Sequence, residues 1–224
     1  MLTVHHLNNS RSQRILWLLE ELGVEYDIKF YERDKETMLA PASLKQIHPL
    51  GKSPVVTDGE NTVAESGAII EYLVNKYGKG KLKPQEGTPS SLSYTYWLHY
   101  AEGSAMPPLL LSLIFLKIET APMPFFIKPV AKGIADKVKK AFIGPQLKIH
   151  FDYIESTLAK NEWFTGSEFT AADIQMSFPL EAAMARGVLT PSTHPHSLKF
   201  LETIHQMSTY KKALERGGPY DYSN

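Results

Sequence analysis

Leu2 to Leu7 forms a short extended run with Leu2, Val4 and Leu7 apolar, and a polar stretch from Asn8 to Arg14 follows it. Apolar residues return at Ile15, Leu18, Leu19 and Leu22. That i, i+3, i+4, i+7 spacing predicts an amphipathic helix from about Ser12 to Leu22, ended by Gly23. Between Glu25 and Tyr31, the residues Tyr26, Ile28 and Phe30 alternate with charged ones, as in a half-buried strand. Strand, helix, strand reads as a βαβ unit with parallel strands. The segment 34–47 is weaker and partly helical. Val55-Val56-Thr57 and Thr62-Val63-Ala64 flank a turn at 58–61, which predicts an antiparallel hairpin. A helix then opens at Glu65-Ser66-Gly67, with Ile69, Ile70, Leu73 and Tyr77 on one side.

Beyond Tyr77 the pattern changes. Residues 79–89 are rich in Gly, Pro and Lys and read as a linker between a domain at 1–78 and an all-helical one at 90–224. Leu92 to Ile118 predicts one long helix bent at Pro107-Pro108. Phe126 to Leu158 predicts another, kinked or broken at Gly144-Pro145. Thr170 and Asp173 have capping-box spacing, with Phe169 and Ile174 as a hydrophobic staple. Further helices are expected near 196–206 and 211–216. The fold class is therefore α/β followed by all-α.

Composition narrows the chemistry. Of the 224 residues none is cysteine, which removes disulfides, thiolate metal sites and any protein thiol nucleophile. Lys plus Arg and Asp plus Glu both number 24, so neither a nucleic-acid surface nor a membrane-seeking helix is indicated. No signal-peptide pattern opens the chain, and the most apolar run, Leu109 to Leu116, is too short to span a bilayer. A soluble, cytoplasmic protein is expected. His5 and His6 point to opposite faces of a strand, and no metal site is expected.

The polar stretch Asn8 to Arg14 sits where a strand turns into a helix. A helix N-terminus carries unpaired N–H groups and partial positive charge, so it holds anions and makes a thiol more acidic. Ser10 or Ser12 could equally serve only as a helix cap.

Four strings, in this order, resemble the cytosolic glutathione S-transferases. They are Asn9 to Leu16, His48-Pro49-Leu50-Gly51-Lys52-Ser53-Pro54, Glu65-Ser66 opening a helix, and the cap from Phe169 to Asp173. The resemblance is to theta-like or yeast-type bacterial and fungal members, and it covers the whole chain. It implies a thioredoxin-like N-terminal domain and a helical C-terminal domain. It further implies glutathione as co-substrate, a small hydrophobic electrophile as second substrate, and a homodimer. Pro54 takes the place of the family's cis-proline, so that the backbone of Ser53 pairs with the cysteinyl part of glutathione. Ser66 and Glu65 take the γ-glutamyl end, and Lys52 the glycyl carboxylate. The family activates the thiol through Tyr, Ser or Cys near the first strand. With Cys absent and no Tyr before Tyr26, the resemblance leaves Ser10, then Ser12, then Asn9. Arg14 is expected to pair within the N-terminal domain, and Glu102 to reach toward a neighbouring subunit's glutathione. Tyr100, Met106 and Leu110 are expected in the electrophile pocket. Two other readings stay open: peroxide or disulfide reduction with two glutathiones, and a non-catalytic binding protein.

Overall fold

The computed structural model describes residues 1–223. Four strands, β1 (Leu2–Leu7), β2 (Asp27–Tyr31), β3 (Val55–Asp58) and β4 (Asn61–Ala64), form one sheet in the order β2-β1-β3-β4. β1 and β2 are parallel, with Thr3 opposite Asp27 and Leu7 opposite Tyr31. β3 runs antiparallel to both β1 and β4. The hairpin is tighter than the sequence suggests. Asp58 and Asn61 pair across it, leaving Gly59-Glu60 as the turn, and Gly59 supplies the positive φ of 62°.

Helix α1 (Ser12–Leu22) is buried more widely than an amphipathic stripe implies. Ile15, Leu16, Trp17, Leu18 and Leu19 are all fully buried. The reason is that α1 lies against β1 on one side and against α7 (Ala171–Ala185) and α9 (Ser208–Gly217) on the other. A helix covered all round carries apolar residues all round. Gly217 of α9 is required by this packing: a Cβ there would stand 2.5 Å from the Gln13 side chain and 2.8 Å from Leu16. Helix α2 (Ser66–Tyr77) packs on α1 and the hairpin.

The predicted long helix is present, but its irregularity lies ahead of the prolines. α3 (Pro89–Tyr100) and α4 (Met106–Thr120) are joined by a π-helical turn at Ala101–Ala105. Pro107 and Pro108 cannot donate to the turn before them. The wider turn absorbs this, with the Met106 N–H reaching the Ala101 carbonyl. The same device recurs where α5 (Lys128–Val138) meets α6 (Gly144–Leu158). A π turn at Lys139–Ile143 precedes Gly144-Pro145, in place of the expected kink. Taken as one element, Pro89–Thr120 is 32 residues and, with a mean hydropathy of 1.3 over its most apolar window, could cross a membrane by length and composition. In the fold its residues Tyr94, Trp97, Ala101, Ala105 and Leu109 are core.

Thr170 and Asp173 form the predicted capping box at the start of α7. The carboxylate of Asp173 accepts from the Thr170 N–H at 2.8 Å and the Phe164 N–H at 2.8 Å, tying the preceding loop to the helix. α8 (Pro195–Gln206) and α9 complete the helical part.

Candidate active site

The turn between β1 and α1 is held from several sides. The Asn8 side chain accepts from the Arg33 N–H at 2.9 Å, and the Asn9 carbonyl accepts from the Arg33 guanidinium at 3.3 Å. Asn9 has a positive φ of 49°, which Asn tolerates better than most residues. Its side-chain amide donates to Asp221 at 2.7 Å and accepts from the Asp221 N–H at 2.9 Å. The Asn9 side chain is thus tied at both ends to the C-terminal tail.

Ser10 and Ser12 also point inward. Ser12 Oγ lies 2.8 Å from His6 Nδ1, 2.8 Å from Ser10 Oγ and 3.2 Å from the Leu7 N–H. His6 is buried, and the Gly217 carbonyl draws on its imidazole. The tautomer that turns its one N–H to Gly217 leaves Nδ1 to accept from Ser12. In that tautomer Ser12 Oγ receives the Ser10 proton, while Ser10 Oγ receives the Ser12 N–H at 3.2 Å, and both hydroxyl protons are directed into the protein.

Burial pushes the His6 imidazolium down from 6.5 to about 4, against the opposing pull of the Gly217 carbonyl. The folded value lies below the unfolded one, so the unfolded chain binds the proton first. His6 stabilises the fold fully above pH 6.5, and this is lost as pH falls toward 4. The loss by pH 5 is expected to be about 2 kcal/mol. Urea unfolding at pH 7.5 and 5 should show that difference shrink in His6→Gln; an unchanged difference contradicts the assignment.

Between the turn and the second half of the sheet lies a cavity of about 270 Å³. Arg11, Lys52, Ser53, Pro54, Glu65 and Ser66 line it, and Glu102 closes one wall. The Ser53-Pro54 peptide is cis, as the sequence reading expected. Ser53 Oγ donates to the His5 carbonyl at 2.9 Å, which gives its polar side chain a partner beside β1. Gly51 makes the approach to it with a φ of 56°. Glu65 precedes α2 with φ 69°, an unusual backbone for a glutamate, and Ser66 opens that helix.

Arg11 is the cation of the α1 turn. Its Nε lies 2.9 and 3.0 Å from the two Glu102 oxygens, and its guanidinium sits over the Phe178 ring at 4.9 Å. Glu102 is presented by the π turn and also binds Arg14 at 2.5 Å. Burial raises the Glu102 carboxyl, but Arg14 and Arg11 overcome this and hold it below the usual range. Arg14 is buried, and its other terminal nitrogen donates to the Gln175 carbonyl at 2.8 Å. Its partners therefore come from the helical part, not from the N-terminal domain. Glu102 is taken by arginines of its own chain.

The predicted second-substrate residues are not brought together. Tyr100 is buried, with its hydroxyl 2.7 Å from His150 Nδ1, and faces a groove on α3 lined also by Leu92 and Tyr96. Met106 is core, and Leu110 is 51% exposed on α4. Met106 and Leu110 share one side of α4, four residues apart, with Leu110 at its exposed edge, while Tyr100 lies before the π turn and is turned to His150 of α6.

Residues 1–75 match the family model of the glutathione S-transferase N-terminal domain, and 120–207 that of its C-terminal domain. Glutathione S-transferase 1 of Saccharomyces cerevisiae is 36% identical over 223 residues, covering 96% of this chain and 95% of that protein. The chain belongs to the glutathione S-transferase family. Glutathione S-transferase 3 of Schizosaccharomyces pombe is 38% identical, over 96% of this chain and 88% of that protein. A solved glutathione S-transferase from Actinobacillus pleuropneumoniae superposes with a TM-score of 0.78 at 31% identity, covering 100% of this chain and 96% of that one.

Four cavity residues of this transferase carry no site role in the sequence: Arg11, His48, Leu50 and Ala64. The resemblance assigns Glu102 to a neighbouring subunit's glutathione, whereas the structure pairs it with Arg11 and Arg14 of its own chain. One signal for Arg11 was available. It is the only cation between the first strand and Arg14, at the helix N-terminus.

Proposed function

We propose that this transferase joins the thiolate of glutathione to small, apolar electrophiles in that cavity. The observation that carries the reading is the convergence of Arg11, the cis Ser53-Pro54 peptide and the α2 N-terminus on one space. The α2 N-terminus, with its N–H groups and the Ser66 hydroxyl, suits the γ-glutamyl carboxylate, and Glu65 its ammonium. Lys52 suits the glycyl carboxylate. The Ser53 backbone pairs with the cysteinyl unit as an added strand would.

The sulfur then lies toward the α1 turn. There the Arg11 cation and the helix N-terminus favour the thiolate over the thiol. The hydroxyls of Ser10 and Ser12 shape the turn instead of donating to sulfur. The thiolate attacks the electrophilic carbon, a C–S bond forms, and the leaving group departs with the bonding pair. Leu110 offers apolar surface for the electrophile. Two domains are proposed, 1–78 and 90–224 joined by 79–89, in a cytoplasmic homodimer that covers Leu92 and Tyr96 on α3; a monomer in sedimentation at micromolar concentration contradicts the dimer.

Calorimetry with glutathione and a conjugation assay with a chloronitroaromatic test the function. Binding below millimolar concentration with thioether product is expected. No binding contradicts the proposal, and turnover of a small disulfide without any conjugation favours reduction instead.

A further inference from the structure

The tail after α9 does not leave the protein. Tyr220 buries its hydroxyl on Glu181 of α7 at 2.5 Å, where the Tyr210 hydroxyl also donates at 2.6 Å. Tyr222 packs its ring edge-on against Phe178, 5.6 Å between centroids. Phe178 is the ring beneath the Arg11 guanidinium. Between these two tyrosines, Asp221 makes the reciprocal pair with Asn9, 212 residues earlier in the chain. The tail therefore touches the α1 turn on both sides of the cation: at Asn9 directly, and at Arg11 through Phe178.

The geometry points to Asp221 and Asn9 as positioning residues for the thiolate site. Asn9 holds a left-handed backbone, and both ends of its side-chain amide are committed to the tail. Turning that amide toward the sulfur would break both tail bonds. Its work is to fix the turn that sets where Arg11 points. The tail is anchored independently by Glu181, so it is a firm strut for Asn9. A shift of the turn by a fraction of an ångström would move the cation relative to the sulfur, and rates respond steeply to such displacements.

For its kinetic readout this inference rests on the proposed thiolate site; its exchange readout does not. Asn9→Gly tolerates the positive φ but removes both tail bonds. Asp221→Ala removes one, and Asp221→Asn restores an acceptor. Asn9→Gly is expected to raise the pKa of bound glutathione's thiol, read by thiolate absorbance, and to lower kcat/KM about tenfold. Asp221→Ala should give a smaller loss in the same direction, and Asp221→Asn should recover most of it. The double variant Asn9→Gly/Asp221→Ala should be no worse than Asn9→Gly alone, because both cut one link. Amide hydrogen exchange at 8–11 should quicken in Asn9→Gly and Asp221→Ala while the β3–β4 hairpin is unchanged. Two results overturn the inference: unchanged exchange at 8–11 in both single variants, or a double variant whose loss is the product of the singles. Activity lost in Asn9→Gly but intact in Asp221→Ala also overturns it, because Asn9 would then act on the sulfur itself. If the unaltered protein fails to bind glutathione, the functional proposal falls, and the exchange measurement still decides the strut.

Discussion

Replacing Arg11 with alanine is expected to lower kcat/KM for conjugation about 100-fold, the scale set by removing one preorganised charged group from a developing-charge site. The guanidinium is one-third exposed and lines the cavity, while Glu102 and Phe178 hold its Nε edge and its face. Its terminal nitrogens make no hydrogen bond to Glu102, which leaves their N–H groups to the proposed thiolate. Arg11→Lys should recover only part of the rate. A lysine keeps the charge, but it has no planar face to lay on Phe178 and no second edge of N–H groups once one is seated on Glu102. Steady-state rates across pH 5.5 to 9 check this. The loss should be largest at low pH, where thiolate is scarcest without help. An equal loss at every pH would show that Arg11 acts on glutathione binding rather than on thiol ionisation.

Glu102→Ala should have the largest effect on stability, about 3–5 kcal/mol, the usual cost of leaving a buried charge without its partner. The residue left behind is Arg14, whose side chain is 1% exposed and whose Nε has no partner. Only the Gln175 carbonyl would remain to it. Glu102→Gln keeps one acceptor oxygen near Arg14 and should cost less than half as much. Urea unfolding at pH 7 measures both. A loss under about 1 kcal/mol would mean that water replaces the carboxylate readily, as at an exposed pair.

The fold was largely legible in the sequence because its elements carry strong local signals. The capping box at Thr170 and Asp173 and the turn chemistry at Gly59 each depend on neighbours within a few residues, whereas the alternation before Tyr31 locates the strand but not its burial, since Phe30 is 58% exposed and Tyr31 is buried. The strings around Pro54 and Ser66 were legible through the family resemblance, and the structure places them on one cavity. Three features were not legible. The π turns arise where a proline withholds a donor, and sequence marks the proline but not which preceding residues widen. Glu102 meets Arg11 and Arg14 only because that turn rotates it inward. The direction of the Ser10 and Ser12 protons depends on His6 and on Gly217, which lie in a strand and in the last helix. Spacing alone makes Ser10 a plausible donor; the acceptor that takes its proton comes from packing.

In the proposed function, positive charge at the α1 turn, not a hydroxyl, ionises the bound thiol. The pH titration of thiolate absorbance for glutathione bound to the unaltered protein, Arg11→Ala, Ser10→Ala and Ser12→Ala tests it most directly. The thiol should titrate well below its ordinary value of about 8.5 in the unaltered protein and in both serine variants, and move back toward 8.5 in Arg11→Ala. A titration that shifts up in Ser10→Ala and stays low in Arg11→Ala would contradict it.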